Sequence, residues 1–412
     1  MSVPGQERPV DHACAPWPYR LLAVDALHRR GWRPSALREF VLKIHQRCNL
    51  ACDYCYVYTM ADQSWRARPA VMSERVWTAA ANRIAEHAER HALDEVRVVL
   101  HGGEPLLAGI DRIAAIAEAV RTALPAPVTA RLAMQTNGVL LDEATLRALL
   151  RCDIRIGVSL DGNQSDHDRH RSDAAGRGSF AEVDRALRLL SGPEYRSLFS
   201  GILTTVDPHT DPVACYHTLL AYRPKALDFL LPHANWSAPH PDSGQADRSF
   251  GSWLIRVFDR WYDAPRQETR IRFFEEIIHV VLGGASHSEN IGLSPAAVAV
   301  VETDGAIEQV DALKSAYQGA AATGLSVLTD PLDRALSHPG IIARQLGVDA
   351  LSEQCRRCPL HRICGGGEYP HRYRAGAGFR NPSVYCADLA SLINHVWHRV
   401  HADLRARLRA AR

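Results

Sequence analysis

Between Phe40 and about Trp236 the chain alternates short apolar runs with longer amphipathic ones, and this limits the available folds more than any other feature. Six runs, at 40–45, 96–102, 130–137, 154–160, 198–206 and 226–232, read as strands. Helical patterns at 74–92, 110–123, 143–150, 180–190 and 212–222 lie between them. A hydrophobic period that keeps switching between strand and helix spacing points to repeated β–α units and a parallel sheet. Periodicity alone leaves two α/β architectures open, a partly closed barrel and a doubly wound sheet.

Beyond Trp236, the segment SAPHPDSGQ is rich in turn formers and reads as a linker. A helical stretch is expected from about 250 to 282. Residues 296–310 read as a hairpin with Asp304 and Gly305 at its tight turn. From about Leu351 the chain is rich in cysteine and glycine and ends in a basic helix over 387–412.

The formal net charge is only +2, which gives no support for nucleic acid or a membrane surface as the main partner. No apolar run approaches the roughly 18 residues that suggest a membrane span, and the N-terminus lacks the regions of a signal peptide. A cytoplasmic compartment is expected. Ten cysteines in a reduced compartment point to metal or redox use rather than to disulfides. Cys14, Cys152 and Cys215 stand apart and read as buried or free thiols.

The other seven fall into two groups. Cys48, Cys52 and Cys55 follow the first strand with the spacing Cys-x3-Cys-x2-Cys. Three thiolates are one fewer than a closed [4Fe–4S] cluster requires. Cys355, Cys358 and Cys364, with Cys386 22 residues later, offer the four that close one. Zinc is the alternative at either place.

The first group resembles that of the radical S-adenosylmethionine (SAM) enzymes, and the likeness continues through the first half of the chain. The resemblance implies a catalytic [4Fe–4S] cluster whose fourth iron chelates SAM, and a 5′-deoxyadenosyl radical made by reductive cleavage. Tyr54 stands where the family carries an aromatic residue beside the adenine. Gly102, Gly103 and Glu104 resemble its GGE motif at the methionine amino group. Gln135 and Asn137 end the third strand. By the same resemblance Ser159 and Asp161 lie near the ribose and methionine, and Arg171 pairs with the SAM carboxylate. With the family added, the expectation is a partial (β/α)6 TIM barrel with its chemistry at the strand C-termini.

The second group is similar to the SPASM domain of radical SAM peptide maturases, which commonly holds two auxiliary clusters. Here Val310 and Glu368 replace two of that pattern's cysteines. The resemblance thus implies one auxiliary [4Fe–4S] cluster, on Cys355, Cys358, Cys364 and Cys386, serving as electron relay or structural element. The expected organisation is an N-terminal extension (1–35), the barrel (36–240), a helical and hairpin bridging region (241–345) and a SPASM-like region (346–412).

Near the whole length from residue 36, the chain looks most like FxsB-type maturases of ribosomal peptides. That likeness implies hydrogen abstraction from a side-chain β-carbon and a C–C bond to an aromatic ring, a cyclophane. Asp311 follows the lost cysteine at Val310 and is the candidate base. Three rivals are sulfatase formylglycine maturation, thioether formation or epimerisation of a peptide, and a non-catalytic iron–sulfur binding protein. The implied partners are a precursor peptide and a flavodoxin or ferredoxin donor. No nucleic-acid or membrane partner is expected.

Overall fold

The computed structural model describes residues 24–242 and 248–410; Cys14 lies outside them. Six parallel strands alternate with helices: β1 (Glu39–His45), β2 (Glu95–Gly102), β3 (Thr129–Thr136), β4 (Arg155–Ser159), β5 (Phe199–Thr205) and β6 (Ala226–Leu230). Four more follow: β7 (Arg270–Ile271), β8 (Val298–Val301), β9 (Ala306–Glu308) and β10 (Ala322–Ser326). Across the single sheet the order is β10-β9-β8-β1-β2-β3-β4-β5-β6-β7. A doubly wound sheet reverses its winding at a switch point. Here β1 to β6 follow one another without reversal, so the chain forms the partial barrel, and all six C-terminal ends lie along one rim.

Strand parity explains why the rim is polar. Phe40, Leu42 and Ile44 of β1 and Val96, Val98 and Leu100 of β2 are all fully buried. Against this face lie Ala80, Ile84 and Ala88 from helix Glu74–Arg90 and Ile113, Ile116 and Val120 from helix Ile110–Ala123, the spacing of an apolar helical stripe. Burial of each large side chain contributes about 1.5–3 kcal/mol. The alternate positions carry a different chemistry. Lys43 pairs in register with His101, and Gln135 with Gly157. The inner face of the barrel is therefore lined with groups that bind rather than pack.

The expected helix over 250–282 is two helices, Phe250–Tyr262 and Arg272–Val281, separated by β7. Asp263 caps the first, and Pro265, which cannot extend a helix, follows. The hairpin forms as expected, β8 pairing antiparallel with β9. It also does something that periodicity did not indicate: β8 runs parallel to β1, so the bridging region extends the barrel sheet. The basic C-terminal helix, Cys386–Ala410, buries Leu389, Leu392, Ile393, Val396 and Val400. Asp388 accepts from Gly251 N at 2.8 Å and His395 pairs with Asp259 at 2.7 Å, which pins this helix to Phe250–Tyr262.

Candidate functional site

The loop after β1 carries Cys48, Cys52 and Cys55 onto the rim. It is held from two sides. Ala51 N donates to Ser172 O at 2.7 Å, while Gly103 N and Glu104 N donate to His45 O and Arg47 O at 2.9 and 3.0 Å. The end of β2 passes so close that a Cβ on Gly102 would meet His45 O at 2.1 Å, and one on Gly103 the Tyr58 hydroxyl at 1.8 Å. Two consecutive glycines are the sequence's solution to that approach. Burial pushes the Cys48 thiol up to about 12, with Cys52 and Cys55 close enough to add to it. Cys52 rises to about 11 for the same reason, against the opposing charge of Arg171.

Glu104 is fully buried and its carboxylate ties the ends of β2 and β3 together. Its Oε1 accepts from Leu106 N at 3.0 Å and from the Thr136 hydroxyl at 2.7 Å, and its Oε2 from Asn137 N at 2.8 Å. Burial still raises its carboxyl to about 7. Asn137 Nδ2 reaches Asn49 Oδ1 at 2.8 Å and lies 3.6 Å from Cys48 Sγ. Gln135 lies over Gly157 and donates to the Ser159 hydroxyl at 3.0 Å.

Asp161 is the other junction. Its Oδ2 accepts from Arg171 Nε at 2.7 Å and from the Tyr54 hydroxyl, and its Oδ1 from Thr205 N at 2.9 Å. Burial alone would raise its carboxyl, but the Arg171 charge and these hydrogen bonds outweigh it and hold the group below the carboxylate range. Arg171 also stands over the Tyr54 ring, 5.4 Å from its centroid. Tyr54, Asp161 and Arg171 thus form one unit beside Cys52.

These residues fit the groups that the motifs imply. Three partly buried thiols lie close enough to act on one another, with Leu50 N at 3.4 Å and Asn137 Nδ2 at 3.6 Å from Cys48 Sγ, as cluster thiolates require. Arg171 keeps its Nη atoms without hydrogen-bond partners among the described residues, an anion site next to the cysteines.

Residues 42–211 match the Radical SAM superfamily. The cysteine-type anaerobic sulfatase-maturating enzyme of Clostridium perfringens is 26% identical over 330 residues, 78% of this chain and 85% of that one. The serine-type enzyme of Klebsiella aerogenes is 26% identical over 358 residues, 83% and 82%. Among solved structures, anSMEcpe with bound AdoMet and Cp18Cys peptide superposes with a TM-score of 0.75 at 22% identity, covering 89% of this chain and 99% of that one. Streptococcus suis SuiB bound to precursor peptide SuiA gives 0.56 at 14%, covering 94% and 84%. At these identities the structural likeness establishes the radical SAM fold.

Beyond the matched residues, Cys355 lies in helix Glu353–Arg357, Cys364 ends helix His361–Cys364 and Cys386 opens the C-terminal helix. Cys355 and Cys386 both lie close enough to raise the Cys364 thiol, which burial already pushes to about 11; Cys355 and Cys358 act likewise on Cys386. The chain brings the four together by reversing at Gly365, Gly366 and Gly367, all with positive φ (62, 84 and 70°), a conformation that other residues rarely adopt. Arg372 seals the turn, donating to Gly365 O at 2.7 Å and Gly367 O at 2.5 Å. Four converging thiols fit a fully ligated cluster.

Asp311 lies in a buried ion cluster next to the cysteine loop, close enough for its charge to act on Tyr56, His101 and His233. Lys43 Nζ is 2.6 Å from its Oδ2 and Lys314 Nζ 3.0 Å from its Oδ1. Lys314 also meets Glu302 and Glu308, and Arg68 closes the network on Glu302 and Glu308 at 2.6 and 2.5 Å. Three cations balance three carboxylates. Burial would raise the Asp311 carboxyl, but Lys314 and Lys43 hold it far below the ordinary range. A carboxylate so held is a weak proton acceptor.

Sequence reasoning missed Lys43, His101 and His233. Lys43 and His101 were legible as polar residues at strand positions whose neighbours are apolar. His233, three residues past β6, carried no such signal. Among the described residues no helix is long and apolar enough to cross a membrane.

Proposed function

We propose that this radical SAM enzyme modifies a peptide substrate by taking a hydrogen atom from a side-chain β-carbon and joining that carbon to an aromatic ring of the same peptide. The observation that carries the substrate class is the shared fold with anSMEcpe and SuiB, whose solved complexes hold a Cp18Cys peptide and precursor peptide SuiA. When bound, SAM on the three-cysteine cluster supplies the 5′-deoxyadenosyl radical that accepts the hydrogen atom.

The chain's own residues bind and orient. Cys48, Cys52 and Cys55 hold the first cluster. Arg171 meets the SAM carboxylate with its free Nη atoms while Asp161 fixes its position. Tyr54 lies alongside as the aromatic wall for the adenine. Gly102, Gly103 and Glu104 meet the amino end, and Gln135, Asn137 and Ser159 line the remaining rim. Cys355, Cys358, Cys364 and Cys386 hold an auxiliary [4Fe–4S] cluster in a SPASM-like region, and a flavodoxin or ferredoxin supplies electrons.

Crosslinking releases a further electron, which the cluster on Cys355, Cys358, Cys364 and Cys386 would accept, and a proton, which would pass to solvent or to a carboxylate near the substrate. For Asp311 to take that proton, Lys43 or Lys314 must yield its contact. Asp311 therefore has a positioning role, anchoring β1 to the segment after β9.

A second reading is formylglycine formation on a sulfatase, favoured by the names of the curated relatives, which match over most of this chain's length. One experiment separates the two. Reconstituted enzyme with SAM and reductant is given an aromatic-containing precursor peptide or a cysteine-containing sulfatase peptide, and the products are read by mass spectrometry. Loss of two hydrogens with a fragment-resistant ring supports the crosslink. Loss of sulfur with a hydrazine-reactive carbonyl on the second peptide alone supports the sulfatase reading.

A further inference from the structure

Three groups of histidines and carboxylates among the described residues place their ligand atoms within 4.8 Å of one another, and two of them are already satisfied. Asp333 accepts directly from His87 and His91 at 2.7 and 2.8 Å. Glu302, Glu308 and Asp311 enclose the Lys314 ammonium. The third, His233, Glu368 and His371, differs. His371 Nε2 stands 3.5 Å from Glu368 Oε2 and His233 Nδ1 4.0 Å from Glu368 Oε1, both beyond a hydrogen bond. His233 Nδ1 and both ring nitrogens of His371 are buried without a hydrogen-bond partner among the described residues, and His371 is only 1% exposed.

Leaving buried ring nitrogens unpaired destabilises the fold, and no side chain among the described residues hydrogen-bonds to these three. A divalent ion satisfies them. Zinc bonds nitrogen and oxygen at about 2.0–2.1 Å, which sets neighbouring ligand atoms about 3.4 Å apart in a tetrahedron. His371 Nε2 stands at 3.5 Å from Glu368 Oε2, already near that spacing; His233 Nδ1, 4.0 Å from Glu368 Oε1 in a set whose ligand atoms all lie within 4.8 Å of one another, must close by up to about 1.4 Å. The rings are preset: His233 packs edge-on against Tyr56, centroids 4.7 Å apart, and His371 against Tyr385 at 4.9 Å. We propose that His233, Glu368 and His371 form a mononuclear site for a divalent transition metal, two imidazoles and one carboxylate with a fourth position open. Tyr56 directly follows Cys55 in the chain, so this site lies one aromatic ring from the cysteine loop. It depends on neither cluster nor on the peptide reaction.

The probe is zinc itself. Fully reconstituted enzyme is titrated with Zn2+ against a chromophoric chelator, alongside Glu368→Gln and His233→Ala, both folded by circular dichroism and with unchanged iron and sulfide. We expect one zinc per wild-type chain, weakened at least about 100-fold in each variant, with an absorption-edge first shell of nitrogen and oxygen at about 2.0–2.1 Å. Zinc with a sulfur shell at about 2.3 Å, equal affinity in the variants, or no zinc bound by wild type overturns the proposal. Because wild type alone gives the shell and stoichiometry, a variant that fails to fold does not remove the test.

Discussion

Arg171 Nε donates to Asp161 Oδ2 at 2.7 Å, and that contact joins the loop leaving β4 to the end of helix Gln164–His170. The same carboxylate accepts from Thr205 N and the Tyr54 hydroxyl, so it connects β4, β5 and the cysteine loop. One buried group thereby sets the relative position of the cysteine loop and a cation.

Asp161→Ala removes the partner of a buried guanidinium, a change that typically costs about 3–5 kcal/mol. We expect the urea midpoint of unfolding to fall accordingly. Arg171→Lys keeps the charge but loses the fork, so folding is largely retained while SAM affinity drops about tenfold or more in equilibrium dialysis. Unchanged affinity counts against Arg171 as the carboxylate partner.

Asp311→Asn leaves Lys43 and Lys314 short of one counter-charge in a dry network, and we expect a loss of about 3–5 kcal/mol in stability by chemical denaturation. A base role predicts something else: intact stability, intact hydrogen abstraction and accumulation of uncrosslinked product.

His170 sets a pH limit. Its hydrogen bond to Asp207, with Asp53 assisting, raises the imidazolium to about 9. A group raised above its unfolded value of about 6.5 stabilises fully below that pH, and the contribution is lost as pH rises through about 9. Thermal melts from pH 6 to 9.5 are expected to show this decline in wild type and a flatter profile in His170→Gln. Parallel profiles sink the assignment.

The second cysteine group makes an independent prediction. Cys364→Ala is expected to remove about four irons per chain while cysteines 48, 52 and 55 keep theirs. Unchanged iron with loss of bound zinc identifies a structural zinc site.

The barrel was legible because its strands obey a simple rule. All six expected runs form within about two residues, since apolar residues on one face of each strand meet a helix. The cysteine groups were legible because their spacing survives any fold. The break at Pro265 was legible too, as a proline inside a helical pattern, but the parallel pairing of β8 with β1 was not, because it depends on what the segment meets in space. Asp311 shows the same limit at the level of chemistry. Its place in the chain suggested a base, whereas Lys43, 268 residues away, decides its charge. His233 and His371 came together with Glu368 only through the return of the C-terminal region over the end of β6.

The most direct test of the account is anaerobic iron and sulfide analysis with SAM cleavage, comparing wild type with the Cys48/Cys52/Cys55→Ala triple variant. We predict about eight irons in wild type and about four in the variant, with 5′-deoxyadenosine formed by wild type alone. Deoxyadenosine from the variant, or none from fully loaded and reduced wild type even with peptide present, contradicts the account.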